Sequence, residues 1–97
     1  MKDLKDTIDL MTSEDYKKRF MAEYYQLETR FIRLRRMYDK WDELPFKPTC
    51  PKSWYEKQLG AMYNYLLVLT SRSVIEEIEL EQSEELARII KEDSKGI

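Results

Sequence analysis

The chain has 97 residues, of which 42% are hydrophobic and 37% charged, and a net charge of −2. This composition predicts a globular all-α domain over 1–97 with a small core and excludes disorder. Histidine is absent and cysteine occurs once, at Cys50, which excludes an internal disulfide, His-based triads and His metal centres.

The first element in chain order is a short helix over about 2–11, with Leu4, Ile8 and Met11 at helical spacing. Thr12 to Asp15 read as a stop and restart, with Ser13 as the expected N-cap. A long amphipathic helix is then predicted over about 14–44. Its seam of Tyr16, Phe20, Tyr24, Leu27, Phe31, Leu34, Tyr38 and Trp41 recurs every 3.5 residues, the period that keeps one stripe against a partner helix. Met21, Tyr25 and Ile32 project near the opposite face, which predicts a second neighbour there, either another subunit or the N-terminal helix.

All three prolines fall in the stretch Pro45 to Pro51, a stiff connector that ends the helix and reverses the chain. Thr49 or Cys50 is placed to cap the next helix with Pro51 at its first position, and Ser53 with Glu56 offers a competing capping box. The second long helix, about 52–80, carries a seam of Tyr55, Leu59, Met62, Leu66 and Leu69. Further stripes of Tyr63, Leu67, Val74 and Ile78, and of Tyr65, Val68 and Ile75, make it apolar around most of its middle. A bare hairpin would expose that surface, so oligomerisation is expected, with Gly60 and Ala61 small enough for close helix approach. A third helix over about 83–94 is predicted from Leu86, Ile89 and Ile90, capped at Ser83. The expected fold is therefore a long antiparallel two-helix hairpin with short N-terminal and C-terminal helices, oligomerising.

Charge is uneven. Five basic residues face two acidic ones between Glu28 and Trp41, whereas eight acidic residues face three basic ones from Val74 to the C-terminus. No nucleophile–base pair, glycine-rich phosphate loop or metal-ligand cluster is present, so neither an enzyme nor a cofactor is expected. The candidate chemistry is cationic and aromatic. Arg30, Arg33, Arg36 and Lys40 flank the first seam, Lys17 and Lys18 open that helix, and Arg72 sits in the apolar middle of the second. Guanidinium groups hold phosphates, and Tyr16, Tyr38 and Trp41 on the same turns offer rings for nucleobases. The bland alternative is a solvated Arg stripe pairing with a neighbour's acidic C-terminal segment. Arg72 is expected either to reach solvent or to pair at a subunit interface. Mild net acidity argues against long nucleic acid as partner. The N-terminal stretch lacks an apolar signal core and no run approaches about 18 apolar residues, so neither signal peptide nor membrane span is expected.

The pattern E-Y-x-x-L-x-x-R-x-x-R-L over Glu23 to Leu34, a Phe/Pro loop, and Q-L-x-A-M-x-x-Y-L-x-x-L over Gln58 to Leu69 resemble the phage helical-hairpin proteins related to anti-CBASS and anti-Thoeris sponges. The resemblance implies a homo-oligomer, often a hexamer, in the cytoplasm of an infected bacterial host. It also implies sequestration, without cleavage, of cyclic dinucleotides, cyclic trinucleotides or cyclised ADP-ribose signals. A protein-interaction or scaffold module with no small ligand is the alternative that the residues leave open.

Overall fold

The computed structural model describes residues 3–95. Among them the structure is all-helical and holds no strand. A 3₁₀ turn, Leu4–Thr7, leads into α1, Ile8–Met11; Lys2, at the start of the expected helix, lies outside the described residues. Two long helices follow, α2 at Tyr16–Asp39 and α3 at Lys52–Ile75, and then α4 at Glu84–Lys95. No described helix is long and apolar enough to cross a membrane.

α2 starts at Asp15, not Ser13. The Asp15 carboxylate accepts the Lys17 backbone N–H at 2.9 Å, while Ser13 Oγ accepts the N–H of Asp15 itself. α2 also stops five residues short of Leu44. Pro45 has no N–H to return to the Trp41 carbonyl, so the chain tightens into a 3₁₀ turn at Trp41–Glu43 and Lys47 Nζ donates to that carbonyl instead. At α3 the N-cap is Pro51 itself, with extended backbone, rather than Thr49 or Cys50.

α3 ends at Ile75 instead of near Leu80. Glu77 adopts φ 57°, the Ile78 N–H bonds the Ser73 carbonyl at 2.8 Å, and the Glu77 N–H bonds the Val74 carbonyl at 3.3 Å. This is a Schellman stop with a glutamate where glycine is usual. Ile78, just beyond it, is buried and ties the turn to the core.

α2 is the centre of the molecule. Along its seam Phe20, Tyr24 and Phe31 are buried, as are Leu59, Leu66 and Leu69 of α3. Three Tyr–Glu hydrogen bonds cross between the two long helices and their ends: Tyr16 to Glu76 at 2.7 Å, Tyr65 to Glu23, and Tyr38 to Glu56. Burial of the seam supplies most of the stabilisation, at about 1.5–3 kcal/mol per large side chain.

The back of α2 is covered within the same chain. The Gln26 amide donates to Thr7, which is fully buried, and Ala22 and Thr29 share that α1-facing side. Tyr25 and Ile32 are buried in one core with Ile78, Leu86 and Ile89 as α4 folds back on α2. Ser83 caps α4 by accepting the Leu86 N–H. Two polar links fix the approach to α4: the Tyr25 hydroxyl accepts the Glu81 N–H at 3.0 Å, and the buried Glu28 carboxylate accepts the Tyr24 hydroxyl at 2.8 Å and the Ser83 N–H at 3.4 Å. The second neighbour expected behind α2 is thus supplied by the chain's own two ends.

α3 has no such cover among the described residues. Leu67, Val68, Val74 and Ile75 are exposed on its outward half. Gln58 to Ser71 is a run without one charged residue in a chain that is 37% charged.

Candidate ligand-binding groove

At a spacing of three and four residues, Arg30, Arg33, Leu34 and Met37 share one face of α2. That face meets Gln58 and Met62 of α3 along an open groove of about 400 Å³. Its lining combines the apolar Leu34, Met37 and Met62 with two guanidinium-bearing residues, Arg30 and Arg33, and the amide-bearing Gln58. Among the described residues Arg33 has only a long ion pair, 3.7 Å to Asp3, with both side chains more than half exposed. Arg30 makes no hydrogen bond or ion pair among the described residues. Two available cations beside apolar lining residues suit a ligand that is anionic on one edge and planar on another.

The other cations and rings foreseen as site residues lie elsewhere. Arg36 is committed to α4, donating through Nε and Nη2 to the two carboxylate oxygens of Glu85. The acidic partner foreseen for the Arg stripe in a neighbouring subunit is here the chain's own C-terminal segment.

Arg72 does not project freely. Its guanidinium lies over the Phe20 ring at 4.9 Å, pairs with Glu76 at 3.0 Å and donates to the Tyr16 hydroxyl. The hydroxyl of Tyr16 donates to Glu76, and this bond, with Arg72 second, holds the Glu76 carboxyl below the usual carboxylate range. Tyr16 and Arg72 are thus a clasp between the start of α2 and the end of α3. Lys17 and Lys18 are exposed beside it.

Tyr38 and Trp41 sit at the opposite end of α2, about 33 Å from Tyr16 at 1.5 Å per residue. Lys52 lies 4.8 Å from the centre of the Tyr38 ring, and the Trp41 ring packs tilted on Tyr55 at 5.6 Å. Lys40 is the exposed C-cap of α2. One ligand on one protomer therefore cannot touch both aromatic ends. The groove adds Met37 and Gln58, which were not among the residues foreseen. Their signal in the sequence is weak, because each lies just outside its helix's seam.

A family model described as Sequestin matches residues 14–75, which take in α2, the proline loop and α3 and leave out α1 and α4. No curated protein and no solved structure matches the chain. The matched segment is well over half of the sequence: the chain belongs to the Sequestin family.

Proposed function

We propose that the protein is a non-catalytic phage immune-evasion protein that binds and sequesters cyclic nucleotide second messengers, of the cyclic dinucleotide, cyclic trinucleotide or cyclic ADP-ribose type, inside the infected host cell. The observation that carries this is the α2–α3 groove, where Arg30 has no partner among the described residues and Arg33 is only loosely held, both beside the apolar Leu34, Met37 and Met62. The family's name points to sequestration, and sequestration requires tight binding but no catalytic group. In this reading copies of the chain assemble into a homo-oligomer. Arg30 and Arg33 take phosphate, while the Tyr38 and Trp41 end of a neighbouring protomer is the source of aromatic cover that one protomer lacks.

Calorimetry against a panel of cyclic di- and trinucleotides and cyclic ADP-ribose isomers tests this. Heat is expected with at least one member, the ligand recovered intact, and no heat with a variant carrying Arg30→Glu and Arg33→Glu that keeps its helical circular dichroism. Absence of heat across the panel rejects sequestration of these signals. The exposed apolar half of α3 favours a second reading, a protein-interaction module without a small ligand. That module binds no member of the panel.

A further inference from the structure

The outward half of α3 has a symmetry that its inward half lacks. At 100° per residue, Gly60, Ala61, Asn64, Leu67, Val68, Ser71, Val74 and Ile75 fall within one arc opposite the buried Leu59, Leu66 and Leu69. The small residues lie at one end of this stripe and the large ones at the other. Ile75 is 80% exposed and Val74 75% exposed. A Cβ added at Gly60 would meet nothing within 4 Å, so the chain's own packing gives no reason for a glycine there. In mid-helix that glycine costs about 1 kcal/mol relative to alanine.

We infer that this face docks on the same face of a second copy, antiparallel, about a two-fold axis passing between Leu67 and Val68. This register places Gly60 opposite the partner's Ile75, Ala61 opposite the partner's Val74, Asn64 opposite the partner's Ser71, and Leu67 opposite the partner's Val68. Each notch receives a protruding side chain, and the two polar side chains meet each other. An isologous contact of this kind is self-complementary by construction.

Charge selects the same direction. Lys57 lies near the start of α3, and Glu77 and Glu79 lie just past its end, all exposed. Antiparallel packing brings Lys57 to the partner's acidic turn, whereas parallel packing sets like charges together. The uncharged middle of the stripe offers nothing to a charged partner and fits another uncharged face.

This inference names one contact of the self-association in the proposed function and is independent of the ligand; in this register the partner's Tyr38 and Trp41 end lies roughly 30 Å from the groove, so the aromatic cover comes from a further copy. Its test uses the full chain in a Cys50→Ser background. Under oxidation, an equal mixture of Ala61→Cys and Val74→Cys proteins is expected to form a disulfide-linked dimer. Each variant alone should not, because the like positions lie about 20 Å apart along the antiparallel pair. Ile75→Glu should halve the native mass with unchanged helicity, since that side chain supports nothing in its own chain. A wild-type protein that is monomeric overturns the inference, and so does cross-linking of Ala61→Cys alone in preference to the mixture. Cyclic-nucleotide heat retained in either case leaves the ligand-binding reading standing.

Discussion

Arg36 on α2 and Glu85 on α4, 49 residues apart in the chain, form a two-pronged ion pair, Nε to Oε1 at 2.7 Å with Nη2 on Oε2, that joins the two helices. The Arg36 hydrogen bonds hold the Glu85 carboxyl below the usual carboxylate range, against the opposing pull of desolvation. A carboxylate whose folded-state pKa is depressed stabilises the fold above its unfolded pKa of about 4.3 and loses that contribution as pH falls through the lower folded value. Glu85→Gln should therefore lower the thermal midpoint at neutral pH, and its curve should converge with wild type on acidification below about pH 4. Curves that stay parallel through that window would show that the pair does not hold α4.

Glu77 occupies the left-handed position of the Schellman stop after α3, at φ 57°. Glycine has no Cβ penalty there, so Glu77→Gly should raise stability by about 0.5–1 kcal/mol, measured by urea denaturation. A loss of stability would mean that the glutamate side chain makes a compensating contact.

Glu28 is 1% exposed and holds both the Tyr24 hydroxyl and the Ser83 N–H. Its removal orphans the buried Tyr24 hydroxyl and the half-buried Ser83 N–H. Glu28→Ala should cost about 1–3 kcal/mol or more, whereas Tyr24→Phe, which leaves the Ser83 bond in place, should cost about 1 kcal/mol. Equal costs in urea denaturation would contradict the bridging role assigned to Glu28.

For the groove, Arg30→Ala should weaken cyclic-nucleotide binding by roughly 10- to 100-fold, the worth of one charge-assisted hydrogen bond. Binding should also weaken as salt is raised. Arg36→Ala, on a side chain already spent on Glu85, should lower thermal stability and leave affinity nearly unchanged. The reverse pattern, measured by calorimetry and thermal melts, would move the site from the α2–α3 groove to the α4 side.

The two long helices and the reversal between them were legible because apolar spacing and proline chemistry act locally. The seam residues Phe20, Tyr24, Phe31, Leu59, Leu66 and Leu69 are buried as their period requires. The helix ends were not legible. The Asp15 cap competes with Ser13 two residues away, and nothing in a glutamate at position 77 announces a left-handed turn. The candidate site was legible only as charge. Arg30, Arg33 and Arg36 look equivalent on one strip of helix, and only the return of α4 separates the committed Arg36 from its neighbours. Arg72 likewise reads as a cation bound for solvent or for a subunit interface until the chain brings Tyr16, Phe20 and Glu76 around it.

The three Tyr–Glu bonds along the hairpin bear on a weakness of every heptad pattern. A seam that repeats each seven residues nearly matches itself after a slide of two turns, so apolar burial alone ranks the shifted hairpin close to the true one. The bonded positions step by 7 and 15 residues on α2 and by 11 and 9 on the returning arm of the hairpin. No slide of α3 along α2 brings all three pairs back together. They work as a vernier does, through unequal divisions that coincide at one setting only.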